Sequence, residues 1–176
     1  VVYRHKGLIK MINIITNKKE WKNTLMEFES YDFYHTFDYH NLSKNEDEKP
    51  LLLVFSQDDL SIAIPFLKRE IVGTPYFDFT SVYGYAGPIY KNVAEDFNNT
   101  TFLGELNDYL TSNNIISVFS RLNPYFNQQT LILKNIGETP VSGKVVNIDL
   151  TKSIEEQRTQ YGKSTKNRTN KCRRIA

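Results

Sequence analysis

Two strand-like runs set back to back constrain this chain more than any other feature. Residues 51–55 are uninterruptedly apolar, and after Gln57, Asp58 and Asp59 the residues Leu60, Ile62, Ile64 and Phe66 alternate with Ser61, Ala63 and Pro65. A period of two sends alternate side chains to opposite sides of a sheet, so the pair predicts a β-hairpin with one face buried. Pro65 has no N–H to give to a ladder, which points to an edge position or a bulge rather than a central strand. A hairpin cannot bury its apolar face alone. With 40% hydrophobic and 13% aromatic residues, a chain of 176 residues has enough apolar material for the core of one domain.

The flanks indicate what covers the hairpin. Asn17, with Glu20 three residues on, has capping-box spacing, and Trp21, Leu25 and Phe28 follow at intervals of four and three, predicting an amphipathic helix. Thr36 can cap a short second helix through Leu42, and the charged stretch 43–49, closed by Pro50, reads as a loop. Residues 74–90 are β-prone but punctuated by Gly84, Gly87 and Pro88, as in a strand that bends. Leu103, Leu106 and Leu110 mark a helical stripe within 93–112, which Asn113 and Asn114 end. Residues 115–120 form a short apolar strand broken by Arg121, Leu122, Asn123 and Pro124. A weak helix over 125–134 and a strand over 145–150 follow. Ser153 and Glu156 form a second capping box and open a polar helix that runs to the end of the sequence. Helices alternating with strands after an antiparallel start predict an α/β fold with a mixed antiparallel and parallel sheet covered by helices on both faces. Met11 reads as a natural start, so residues 1–10 are an N-terminal extension, 11–151 the folded module, and 152–176 the start of something further.

Charge is distributed unevenly along the chain. From Lys152 onward there are eight Lys or Arg against two Glu, a local +6, so against a total of +2 the first 151 residues carry −4. A mildly acidic body with a basic terminal helix suits an anionic partner. On that helix Lys163, Lys166, Asn170 and Arg174 recur at three and four residues and share one side, while Tyr161, Thr165, Cys172 and Ile175 occupy another. A helix this polar, with Gly162 inside it, is marginal in water and needs a surface to lie against. The bland alternative is a solvated helix on a larger body. The single cysteine, Cys172, excludes an internal disulfide. No apolar run approaches the ~20 residues that cross a bilayer. The expected setting is cytoplasmic, with any membrane contact peripheral at the inner face.

The order of elements, together with YDFYHTFDYHNL, SIAIPFLKREI, YFDFTSVYGYAGPIY and a tail Y-x-x-x-x-K-N-R-x-N-K-x-R-R-I-A, resembles the FemAB-like branch of the GNAT acyltransferase superfamily. Tyr161, Lys166, Asn167, Arg168, Lys171, Arg173, Arg174 and Ala176 carry the last match, and the resemblance runs from about Ile12 to the end. It implies two GNAT-like modules in tandem, of which this chain holds the first plus the opening helix of an incomplete second, with substrate in the cleft at their junction. It also implies transfer of an acyl or aminoacyl group to a peptidoglycan or other cell-envelope or polysaccharide precursor. Aminoacyl-tRNA or acyl-CoA would be the donor, with no certain cofactor. The implied partners are the missing C-terminal module, a nucleotide- or lipid-linked precursor and tRNA, and a first half alone would be inactive. The Q/R-x-x-G-x-G/A pyrophosphate loop of ordinary GNAT enzymes is not in this sequence. Its nearest counterpart, Gly84-Tyr-Ala-Gly87, is followed by Pro88, which offers no N–H. The alternative to an enzyme is a module that binds RNA or another anionic ligand through the basic helix.

Acyl transfer to an amine needs a base and donors that hold the oxyanion. Asp78, within the aromatic run 76–79, is the candidate base, the structural alternative being a carboxylate that bonds a turn or bulge. Tyr83 and Tyr85 are candidates to line a substrate cleft, although strand tyrosines commonly serve sheet packing. Arg121, just past a strand end, is placed to read carboxylate or phosphate, with a salt bridge as the equal alternative. Lys163, Lys166, Asn170 and Arg174 complete the candidate substrate-binding set. His35 and His40, five apart, do not align on one helix face and complete no zinc pattern, so they are read as structural and no metal site is expected.

Overall fold

The computed structural model describes residues 11–175, so the expected extension at 1–10 and the terminal Ala176 lie outside the described residues. The chain forms two compact units, one ending at Thr139 and the other beginning at Pro140. The first unit contains strands β1 (Ile12–Ile15), β2 (Lys49–Gln57), β3 (Leu60–Glu70), β4 (Phe77–Thr80), β5 (Ile89–Lys91) and β6 (Ile115–Phe119). Its helices are α1 (Lys18–Leu25), α2 (Phe37–Ser43), α3 (Thr100–Ser112) and α4 (Gln129–Ile132), with a 3-10 turn at Phe33–His35.

The six strands make one mixed sheet in the order β1-β2-β3-β4-β6, with β5 also on β3. All pairings are antiparallel except β4 with β6, which is parallel. The predicted hairpin is the spine of this sheet. Its strands are longer than expected, and they turn at Asp58, whose φ of 52° lies in the left-handed region that Asp tolerates. Alternation in β2 then sorts the core into two layers. Leu51, Leu53 and Phe55 join Ile62, Ile64, Phe66 and Phe79 under Phe102 and Leu106 of α3 and Ile132 of α4. Leu52 and Val54 join Ala63 and Ile89 under Trp21 and Leu25 of α1. Each fully buried Leu or Phe contributes roughly 1.5–3 kcal/mol of transfer free energy. Helices therefore cover both faces, as the pattern predicts.

The helix starts follow local chemistry. Asn17 Oδ1 accepts from the N–H groups of Lys19 and Glu20, and Thr36 Oγ1 accepts from Tyr39 N at 3.3 Å. Several expectations need correction. Strand β1 has no counterpart in the sequence pattern. Pro65 is not at an edge, because it pairs with Leu52 in a central strand. On the other side of β3, however, β5 takes residues 61–63 and β4 takes 67–70, so Pro65 falls in the gap between two partners. There a missing N–H costs the ladder little. The bent strand of 74–90 is two separate strands, β4 and β5. The helix expected within 93–112 begins at Thr100 and buries Phe102 and Leu106, with Leu103 and Leu110 only partly covered. The helix expected over 125–134 shrinks to α4.

The second unit holds α5 (Ile154–Thr159) and α6 (Lys163–Ile175). The expected strand at 145–150 is absent: these residues form no ladder, and Val146 and Leu150 are largely exposed. Apolar alternation makes a strand only where a partner supplies hydrogen bonds. The compact units divide between Thr139 and Pro140, ahead of the boundary expected between 151 and 152. The single terminal helix is likewise two helices, interrupted at residues 160–162 around Gly162. Ser153 and Glu156 do form the predicted box, with Glu156 N donating to Ser153 Oγ and Ser153 N to Glu156 Oε2. Those bonds hold the Glu156 carboxyl below its ordinary pKa.

Candidate functional site

The single parallel pair in the sheet defines where a site can be built. β4 and β6 run side by side with Phe79 opposite Val118 and Thr80 opposite Phe119, and Ser81 N donates to Phe119 O at 2.9 Å. Both strands therefore end at the same margin, and the loops 81–88 and 120–128 leave from it together. Open α/β sheets bind ligands outside the carboxyl ends of their parallel strands, where such loops part.

Buried polar side chains fix the two loops. Gln129, 1% exposed, donates from Nε2 to Pro88 O at 2.7 Å and accepts at Oε1 from Asn123 N at 2.7 Å, clamping one loop to the other. A Cβ on Gly87 would come within 2.8 Å of the Gln129 side chain and 3.0 Å of Leu122 Cα, so the clamp needs glycine there. From the other side, fully buried His35 lies 3.0 Å from Gly87 O through Nε2, while its Nδ1 lies 3.0 Å from Asp32 N. The Nε2–H tautomer satisfies both contacts, with Nδ1 accepting from the Asp32 N–H. Burial pushes the His35 pKa down, with the Gly87 and Asp32 carbonyls opposing. His40, also fully buried, donates from Nδ1 to Thr36 O at 3.0 Å and packs 5.4 Å from the Trp21 ring.

Over this frame lies a set of aromatic rings. Tyr34 rests flat against Gly84, whose φ is +123° and whose Cβ, if present, would fall 2.1 Å from the ring. Tyr34 meets Tyr85 edge-on at 6.0 Å and Tyr39 at 5.4 Å, and Tyr39 Oη donates to Tyr83 O at 3.0 Å. The Arg121 guanidinium stands 5.3 Å from the centre of the Tyr83 ring, within cation–π range. Tyr83, Tyr85 and Arg121, each singled out from sequence, thus converge at the carboxyl ends of β4 and β6. Tyr34, Tyr39 and Gln129 join them without any sequence signal, and Gly84 serves as the seat of a ring rather than as a phosphate loop. Only the glycine before a tyrosine is visible in sequence, because the partners across the loops lie 41 to 51 residues away.

The remaining candidates stand elsewhere. Asp78 is opposite Arg69 across β3 and β4, and both its oxygens accept from that guanidinium, at 2.7 Å each. The pairing raises the Arg69 pKa, chiefly through the hydrogen bond to Asp78, against partial burial. This bidentate pair takes one lone pair on each oxygen and fits a structural role for the carboxylate. Asp78 also lies at the irregularity between β4 and β6, next to Phe77, which fits the bulge alternative. In the second unit Asn170 Oδ1 accepts from Arg158 at 2.8 Å and Lys166 Nζ donates to Thr159 O at 3.4 Å, so both tie α6 to α5. Lys163 and Arg174 are exposed, as are Thr165 and Cys172 on the side expected to pack. Among the described residues no three His, Cys, Asp or Glu side chains gather as a metal site would require, and no helix is long and apolar enough to cross a membrane. Comparison of the chain with protein-family models, curated proteins and solved structures finds no match.

Proposed function

We propose that this chain is the N-terminal half of an acyl- or aminoacyltransferase that acts on a peptidoglycan or other cell-envelope precursor. The observation that carries the reading is the stack of Arg121 on Tyr83, beside Tyr85, at the carboxyl ends of the parallel strands. An arginine held by a ring beside phenolic hydroxyls suits an acceptor with a carboxylate or phosphate next to a bulky group. The sequence resemblance supplies the reaction class. On this reading Arg121, Tyr83 and Tyr85 bind and orient the acceptor, while Asp78 holds Arg69 across the sheet. The second module, the donor (aminoacyl-tRNA or acyl-CoA) and a cytoplasmic setting at the inner membrane face belong to the same proposal, and the 176-residue chain alone is inactive.

The test is a transfer assay with the natural full-length protein, supplying labelled aminoacyl-tRNA or acyl-CoA with nucleotide- and lipid-linked precursors. Arg121→Ala should lower kcat/KM by about tenfold to a hundredfold, as loss of a charged contact does. Failure of every donor–acceptor pair to react would remove the reading. A second reading rests on α6, which carries six Lys or Arg and no acidic residue over Lys163–Ile175. If that helix binds RNA, replacing Lys163 and Arg174 with Ala should reduce the salt slope by roughly two ion equivalents.

A further inference from the structure

A second concavity lies beside the aromatic stack, within the first unit. It is a shallow groove of about 370 Å³, bounded by the segment 30–33 on one side and 123–126 on the other. Tyr31, Phe33, Tyr125 and Phe126 supply its apolar surface, and Ser30, Asp32 and Asn123 its polar groups. That volume is at the lower end for small-molecule sites.

Three properties of the groove narrow the ligand. First, large rings are left facing water: Tyr31 is 42%, Phe33 56% and Tyr125 61% exposed. A contiguous patch of that kind marks a binding surface more often than idle surface. Second, the two phenylalanine rings and the backbone of the second wall are held in place before any ligand arrives. Phe33 packs on Tyr34 at 4.0 Å, Phe126 is seated between His35 and Tyr90, and Tyr125 N donates to Asn123 Oδ1 at 3.0 Å. Those two rings have little side-chain entropy left to lose on binding. Third, the single charged group in the lining is the Asp32 carboxylate, which repels phosphate and nucleic acid. The groove is also open rather than enclosing, so it cannot surround a quaternary ammonium with aromatic faces.

We propose that this groove binds a neutral oligosaccharide. A pyranose ring has an apolar C–H face that lies on aromatic rings and an edge of hydroxyls that a carboxylate and a carboxamide can bond. Phe33 is shared with the wall of the Tyr34–Tyr85 stack, so a saccharide here lies alongside the crevice at the strand ends. The proposal stands without the transferase reading, because equilibrium binding needs no donor.

Chitotetraose and cellotetraose are the probes, titrated into the protein and followed by NMR shifts of the tyrosine rings, with inorganic phosphate and choline run in parallel. We expect at least one saccharide to shift Tyr31 and Tyr125. Tyr31→Ala and Tyr125→Ala, both at exposed positions, should each weaken binding about tenfold, with the native fold verified through Trp21 fluorescence. The proposal is overturned if neither saccharide binds, if binding is unchanged in both variants, or if phosphate or choline binds the groove in place of the saccharides.

Discussion

Acidification should unfold the first unit through His40, and the size of the effect can be worked from its surroundings. The ring is fully buried, donates from Nδ1 to Thr36 O, and has no partner at Nε2 among the described residues. Burial pushes its pKa down to about 4; the Thr36 carbonyl opposes this and nearby His35 adds to it. The unfolded chain takes up a proton near pH 6.5 that the folded chain refuses until about pH 4. Stability is therefore complete above pH 6.5 and falls as the pH drops through that window. From pH 7 to pH 5 the loss from His40 alone is ~2 kcal/mol, approaching ~3.4 kcal/mol once pH 4 is passed. His35, also shifted down, acts in the same direction. Asp149 and Glu156 are shifted below their ordinary carboxyl values, so their contributions are lost at lower pH and leave the interval between 7 and 5 undisturbed. Urea unfolding followed by Trp21, the sole tryptophan and fully buried, provides the measurement. His40→Phe should flatten the pH dependence between 7 and 5 by about 2 kcal/mol whatever it does to absolute stability. A wild-type stability that is level over that interval, or a slope unchanged in the variant, would refute the argument.

Three further outcomes follow from the frame of the site. Gly84→Ala must displace the Tyr34 ring and strain a backbone at φ +123°, so it should cost about 2 kcal/mol or more in thermal or urea melts, with Tyr34→Ala in the same chain recovering part of the loss. Gln129→Leu leaves Asn123 N and Pro88 O buried without their partner and should cost roughly 2–4 kcal/mol in the same melts, with exposure of the 81–88 loop to hydrogen exchange. Asp78→Asn should change stability by no more than about 1 kcal/mol, because Arg69 is nearly half exposed and solvent screens the pair, and it should leave transfer rates of the full-length protein intact.

What the sequence reveals here is mainly what depends on near neighbours. Period-two alternation in β2 and β3 identifies the hairpin because each strand's pattern is complete in itself, and it also sorts Leu51, Leu53 and Phe55 from Leu52 and Val54. Asn17, Thr36 and Ser153 declare helix starts because their caps act over two or three residues. Features set by distant partners are not legible. Strand β1 is four residues interrupted by Asn13, and it exists because β2 offers it a ladder. Residues 145–150 have the opposite history, with strand-like composition and no ladder. Tyr83 and Arg121 could be nominated separately, but the ring that joins them to Tyr34, and the Gln129 clamp beneath, depend on loops separated by dozens of residues. The aromatic surroundings of Asp78 are visible in sequence, but the arginine that engages it nine residues earlier stands across the β3–β4 pairing, which no local pattern reveals.

The outer margin of β6 has practical weight for anyone handling this protein. Ile116, Val118 and Phe119 stand 60%, 45% and 54% exposed on a terminal strand, and residues 113–120 include no charged side chain or proline. Unguarded margins of that kind template other chains, and the register irregularity at Phe77/Asp78 lies on the inner pairing with β4, where it does nothing to blunt the outer side. Concentrated preparations should therefore lose material to fibrous or amorphous association nucleated there, and a lysine at position 118 is the economical remedy.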